Sequence, residues 1–187
     1  MEKSPDTHRL PLIVDSREMA RTGRTLEGGF AVRSLERLAS LLSRDEGGLV
    51  WRVRGERRQR ADGGHDDFLH LDIDGRVAMQ CVRCLGEAPV AIHVDRGFRL
   101  VGSEAQAARE ATEESEFDVL AGGARFDLGE LIEDEAIMAL PPIARHENCA
   151  LPVEAGSPDP GPAAAPSPDE ARINPFAALA ELKKRDR

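Results

Sequence analysis

Three cysteines and one histidine carry the most specific chemistry in this 187-residue sequence. Two of the cysteines form Cys81-Val-Arg-Cys84, and the third closes His146-Glu-Asn-Cys149. The pattern is C-x2-C, 61 intervening residues, then H-x2-C. Two ligands three residues apart can wrap one ion from a tight turn, and Zn2+ takes four soft or borderline ligands in a tetrahedron. Cys81, Cys84, His146 and Cys149 together make one such set. As a closed four-ligand site it would be structural, since no position is left for water. The same residues admit two other readings: free or buried thiols that lie near one another, and a redox pair at Cys81 and Cys84 that would make the chain a thiol sensor. Arg83 and Arg145 neighbour the thiols, and their charge would favour thiolates for metal or redox chemistry alike.

A second group is basic. Arg52, Arg54, Arg57, Arg58 and Arg60 fall within nine residues. Guanidinium groups grip phosphate with two parallel hydrogen bonds, so this stretch is the candidate contact for a phosphate-bearing partner, were there one. Little else suggests chemistry. His8, His65, His70 and His93 read as surface or satisfied strand residues. Glu133-Asp134-Glu135 reads as a solvated helix turn rather than a cation site. The sequence has no Gly-rich loop followed by Lys-Ser/Thr, no G-x-S-x-G elbow and no H-E-x-x-H. The expectation is a protein that is not an enzyme and has no small-molecule substrate.

Composition narrows the classes further. The net charge is −9, yet residues 1–80 are balanced and residues 101–187 hold the acidic excess, concentrated in Glu104–Glu116 and Glu130–Glu135. Whole-chain charge therefore does not drive contact with a polyanion. Six Phe, one Trp and no Tyr are few for a base-stacking platform. No apolar run approaches the length of a membrane span, and the first residues lack the apolar core of a secretory signal. An odd cysteine count argues against a disulfide scaffold. The expected compartment is a reducing cytoplasm, with no membrane partner.

The elements that must position these groups follow from periodicity. Leu12-Ile13-Val14 is a candidate edge strand, and Thr22–Phe30 a strand-and-turn region. Leu35, Leu38, Leu41 and Leu42 predict an amphipathic helix over Ser34–Ser43. Residues 49–54 alternate, with Trp51 and Val53 on one face and Arg52 and Arg54 on the other. Gly55–Asp67 reads as a polar turn or long hairpin loop. Leu69, Leu71 and Ile73 form the next alternating face. Gly75 is a candidate bulge, after which Val77, Met79 and Cys81 continue the pattern. Pro89–Val101 holds two strand candidates split near Gly97. Gly102–Glu116 reads as a loop or frayed helix, and Phe117–Leu120 as one more strand. Asp127-Leu-Gly-Glu130 has the form of a capping box, predicting a helix from Leu128 to about Leu140 that Pro141-Pro142 stops.

The predicted architecture is an α+β domain over residues 12–150: an antiparallel β meander covered by two helices, after a mobile segment over residues 1–11. Residues 151–172, with six prolines, read as a disordered linker. Residues 173–187 read as a short amphipathic helix that opens on Asn174-Pro175 and lines up Phe176, Leu179 and Leu182, which has the form of a docking peptide.

Four segments, in order, resemble the YceD family of large ribosomal RNA subunit accumulation proteins. They are Cys81-Val-Arg-Cys84-Leu85 after an alternating strand, Asp127–Glu135 running into Ala139-Leu-Pro-Pro-Ile143, His146-Glu-Asn-Cys149, and Asn174–Lys184 beyond a Pro-rich spacer. The resemblance implies a cytoplasmic bacterial protein, without known enzyme activity, needed for normal levels of 23S ribosomal RNA. Its implied partners are 23S rRNA or its precursor and ribosomal or rRNA-processing proteins. Two modes follow: direct binding and protection of precursor rRNA, with Arg52, Arg54, Arg57, Arg58 and Arg60 as the contact, or a protein–protein adaptor that acts on rRNA indirectly through Phe176, Leu179 and Leu182.

Overall fold

The computed structural model describes residues 10–111 and 117–149. The expectations for the N-terminal segment up to residue 9, for the linker at 151–172 and for the docking helix with Phe176, Leu179 and Leu182 lie outside the described residues. The elements in chain order are β1 (Ile13–Val14), α1 (Ser16–Thr22), β2 (Thr25–Ala31), a 3-10 turn (Val32–Ser34), α2 (Glu36–Ser40), β3 (Gly48–Gln59), β4 (His65–Gln80), β5 (Glu87–Val101), α3 (Glu104–Glu110), β6 (Asp118–Ala121), β7 (Phe126–Asp127) and α4 (Leu128–Met138).

β2, β3, β4 and β5 form an antiparallel meander, and β6 joins β5 in parallel to complete a five-stranded sheet. A parallel neighbour cannot be reached by a tight hairpin, so the chain crosses over through α3. β1 and β7 make a separate two-stranded ribbon. The fold is α+β, with a mostly antiparallel sheet. Among the described residues no helix is long and apolar enough to cross a membrane.

Alternation decides which face of the sheet is covered. Trp51 and Val53 from β3, Leu69, Leu71 and Ile73 from β4, and Ile92, Val94 and Phe98 from β5 form one buried face. Met19 of α1, Leu38 of α2 and Leu128, Leu131, Ile132 and Ala136 of α4 pack against it. The opposite face is polar along the row Glu27, Arg52, Asp72, Asp95, but towards β6 it buries Phe68 and a small cluster of Val101, Val119 and Ala107 of α3.

The described helices number four rather than the expected two. α1 is only seven residues long, too short for a visible apolar stripe. It is fixed by its ends: the Asp15 side chain accepts from the Glu18 N–H at 2.9 Å, and Gly23 closes it at φ 65°. α3 lies in the stretch read as loop or frayed helix, and Ser103 caps it. α2 is shorter than the predicted Ser34–Ser43 helix, and Leu41, placed on its apolar stripe, is 50% exposed.

Gly55–Asp67 is mostly strand, not loop. β3 runs to Gln59 and β4 begins at His65, with Arg57 opposite Asp67 and Arg58 opposite Asp66. Cross-strand ion pairs replace the apolar alternation that usually betrays a strand. Gly55 is no turn residue. A Cβ there would lie 2.2 Å from the Met19 carbonyl oxygen, so glycine lets the α1 backbone pass against β3. Pairing also continues through Gly75 and Gly97, which neither bulge nor split their strands.

Glu133 is likewise not part of a solvated turn. It is 7% exposed, and its Oε1 accepts the backbone N–H groups of Arg37 and Leu38 at 2.8 and 3.1 Å. The first turn of α2 has no cap of its own, because Leu35 stands at the N-cap. Glu133 supplies the cap from α4 and also receives Arg37 Nε at 3.1 Å, while Asp134 takes Arg37 Nη1 at 2.6 Å. Burial raises Glu135 above the usual carboxylate range, against the pull of Arg96.

Removing this remote cap orphans two N–H groups at once. Glu133→Ala is expected to lower unfolding free energy by about 1–3 kcal/mol in urea titrations. Glu133→Gln keeps the volume and an acceptor and should lose less than half as much; equal losses would show that the carboxylate's charge towards Arg37, not the acceptor it offers the two N–H groups, matters.

Candidate metal centre

The site is built where the β4–β5 hairpin turns. Residues 81–86 form that turn, closed by Cys81 N–H to Gly86 O at 2.8 Å and Leu85 N–H to Cys81 O at 2.9 Å. Such a turn bends the backbone N–H groups inward onto the first cysteine. Hydrogen bonds from the N–H of Cys84, and then from those of Arg83 and His146, overcome burial and bring the Cys81 thiol down to about 5. The principal cause is thus the backbone, rather than the guanidinium charges that the sequence suggested.

The second half arrives after α4. Met138 ends the helix, Pro141-Pro142 follow, and the chain then lies beside the turn. Val82 N–H donates to Ala144 O at 3.1 Å. Ala144 is buried with Cys81 and Ala88 in a small apolar cluster that Met79, Val90, Cys84 and Cys149 flank. His146 Nε2 donates to the Glu87 carbonyl at 2.5 Å, which turns Nδ1 to within 3.5 Å of Cys84 Sγ. A backbone carbonyl that fixes the tautomer in this way is a usual companion of a metal-ligating histidine. Cys81 Sγ and Cys149 Sγ are 3.7 Å apart.

The four ligand atoms all lie within 4.8 Å of one another, so Cys81, Cys84, His146 and Cys149 are close enough to hold one metal ion. Cys81 is buried, and the other three are half-buried. Burial, together with the neighbouring Cys84 and Cys81, pushes the Cys149 thiol up to about 11. One thiolate forms readily here and a second is opposed. A bound cation reverses that opposition, because a coordinating thiol is deprotonated outright.

The arginine stretch is arranged differently from its linear appearance. Arg57 lies on the α1 side of β3, near Glu18 and Arg21, whereas Arg52, Arg54 and Arg58 alternate onto the open face. Each arginine meets a carboxylate of this chain. Arg52 reaches Glu27 at 3.3 Å, Arg54 reaches Glu56 at 3.9 Å, and Arg60 reaches Asp62 at 3.3 Å and Asp66 at 3.6 Å. Arg57 grips Asp67 at 2.7 and 2.9 Å, and Arg58 grips Glu56 at 2.9 and 3.1 Å. Arg58 also lies over the rings of Phe68 and Phe117. His70 and His93 are satisfied across the strands by Glu56 and Asp74, at 2.7 and 2.9 Å. Sequence reading missed these partners because they lie 14 and 19 residues away; only the strand register reveals them.

A family model described as "Large ribosomal RNA subunit accumulation protein YceD" matches residues 69–183, well over half of the chain. The matched segment contains all four residues of the centre and begins after the arginine stretch. Among curated proteins and among solved structures, nothing matches the chain.

The paired arginines set an acid limb for stability. The Arg58 fork first, and then His70, hold Glu56 at about 2 rather than 4.5. A carboxyl lowered by folding contributes stability that is fully present above about 4.5 and is lost as pH falls towards 2. Glu56→Gln should therefore destabilise the protein at pH 6, and its difference from the unsubstituted protein should shrink to nothing near pH 2 in urea titrations. A difference that stays constant over that range would mean that ionic pairing contributes nothing at Glu56.

Proposed function

The chain belongs to the YceD family, and from that premise we propose that it is a non-enzymatic cytoplasmic factor that sustains 23S ribosomal RNA by binding and protecting its precursor. The family's name ties it to accumulation of large-subunit ribosomal RNA. The observation that carries the proposal is the match over residues 69–183, which takes in the metal centre and the return of the chain after α4.

The metal we propose is a structural zinc. With Zn–S near 2.3 Å and Zn–N near 2.0–2.1 Å, a tetrahedron has S···S edges of about 3.8 Å and S···N edges of about 3.6 Å. The observed separations are 3.7 Å between Cys81 and Cys149 and 3.5 Å between Cys84 and His146. A disulfide would need about 2.05 Å. The ion would supply cohesion only: with four protein ligands there is no open position for substrate. Cys81 and Cys84 would hold it from the hairpin, His146 and Cys149 from the segment after α4.

RNA contact through Arg52, Arg54, Arg57, Arg58 and Arg60 belongs to the proposal on one condition: each guanidinium must exchange a carboxylate of this chain for a phosphate. That exchange weakens the net gain, because the vacated carboxylate repels the incoming backbone.

Two measurements test the reading. Protein purified without added zinc should carry about one equivalent, and Cys149→Ser should lose it together with thermal stability. Less than about a tenth of an equivalent in normally folded protein would end the zinc reading. The full chain should bind transcripts of the 23S precursor with an affinity that falls as salt rises, and deletion of residues 173–187 should leave that binding intact. A full chain that binds no such transcript would move the function to the adaptor mode through Phe176, Leu179 and Leu182.

A further inference from the structure

We infer that the tip of the metal turn, formed by Val82, Arg83, Leu85, Ile143 and Arg145, is the surface that receives RNA, taking unpaired nucleotides against its aliphatic side chains with the two guanidinium groups as clamps. This deepens the rRNA-binding proposal and rests on it.

The tip exposes apolar surface at a conformational cost. Val82 is 61% exposed, Leu85 68% and Ile143 63%. Leu85 also adopts φ 60°, the left-handed region that non-glycine residues avoid. The turn's two closing hydrogen bonds use only backbone atoms of residues 81, 85 and 86, so glycine at 85 would close it equally well. A leucine that is strained and also points into solvent gains nothing for the fold, and strain kept without a folding benefit is a mark of a working surface. The hydrogen bond from Val82 N–H to Ala144 O sets Ile143 and Arg145 beside the turn. The cluster around Cys81, Ala88 and Ala144 fixes both segments from beneath.

Charge identifies the partner. Arg83 and Arg145 are exposed, and neither forms an ion pair among the described residues. The five arginines of β3 and its hairpin turn all do. Glu87, at the base of the turn, is engaged by Arg44. Arg24, Arg33, Arg76, Arg109 and Arg125 are also exposed without an ion pair among the described residues, but Arg83 and Arg145 are the two that stand within the exposed apolar tip of Val82, Leu85 and Ile143, so on a chain of net charge −9 a polyanion held there also meets an apolar surface. Guanidinium planes stack on splayed bases as well as forking phosphates, which suits unpaired loops and bulges over a regular duplex. Such stacking offsets the shortage of aromatic residues. The family match includes the whole tip and leaves out Arg52–Arg60.

The test uses the full, metal-loaded chain and short single-stranded and hairpin-loop fragments of the 23S precursor, read by fluorescence anisotropy. Arg83→Ser with Arg145→Ser should weaken binding about tenfold or more and flatten the log–log salt dependence by about 1.4, the loss of two single-strand phosphate contacts. Leu85→Gly should keep its metal and at least its stability, since glycine accepts that φ, and still weaken binding about threefold or more. Arg57→Gln with Arg58→Gln and Arg60→Gln should weaken it less. If the unsubstituted chain binds RNA and both tip variants bind within about twofold of it, the surface is misplaced while the RNA-binding reading survives. If the unsubstituted chain binds no fragment, both fall. A photo-crosslinker at position 85 that captures protein rather than RNA in cells would also overturn the inference, in favour of a protein partner.

Discussion

Three sulfur atoms and an imidazole nitrogen lie within 4.8 Å of one another, and burial together with the neighbouring cysteines pushes the Cys149 thiol up, an opposition that a shared cation would reverse. That constraint organises one end of the molecule. The hairpin at residues 81–86 and the segment after α4 are each held by few contacts of their own: a three-residue apolar cluster, the hydrogen bond from Val82 to Ala144 and the one from His146 to Glu87. A shared ion would cross-link positions more than 60 residues apart. By the chain-entropy argument used for disulfides, closing a loop of that length is worth about 4 kcal/mol, against total stabilities of about 5–15 kcal/mol. The centre would therefore act on α4 as much as on the turn. α4 in turn caps α2 through Glu133, so one staple bears on two of the three helices that cover the core face.

The charges obey the same logic of distant partners. Read along the chain, Arg52–Arg60 is a cationic run; read across the strands, it is neutralised. Across the strands Asp67 meets Arg57, Asp66 meets Arg60 and Glu27 meets Arg52, while Glu56 of the same strand meets Arg54 and Arg58. These pairs let two strands rich in charge continue beyond the apolar core without a hydrophobic face to hold them. Their electrostatic role is thus spent on the fold, and the potential they present to a ligand is small. Arg83 and Arg145, which look incidental in the linear sequence, are exposed and form no ion pair among the described residues.

What was legible in the sequence was what local periodicity and spacing encode. Leu69, Leu71 and Ile73 alternate and lie in β4; Asp127 followed by Glu130 caps α4; C-x2-C and H-x2-C mark two half-sites that the fold brings together. What was not legible depends on partners far away in sequence. Gly55 looks like a turn because only the passage of α1 at Met19 explains its missing side chain. Glu133 looks solvated because its acceptors' donors sit 95 and 96 residues earlier. α1 spans two turns, too few for an apolar period, although Asp15, Glu18 and Gly23 do carry its caps. The hairpin at Gln59–His65 hides because ionic pairing leaves no apolar alternation to count.

On the proposal made above, an acidic protein meeting RNA at a small basic tip would have a physical advantage over a basic one. Phosphate attraction supplies affinity without sequence information, so a broadly cationic surface would be drawn to every RNA in the cell. Net repulsion removes that background and leaves only ligands able to place unpaired nucleotides between two guanidinium groups set by a rigid turn. Rigidity is what makes the arrangement selective: side chains on a mobile loop would adapt to many shapes and lose ordering entropy on each. The four-ligand centre lies directly beneath the tip, with Arg83 between two of its cysteines and Arg145 next to its histidine. On the proposals made above, holding those two arginines in place would be the chemical purpose of a metal bound there.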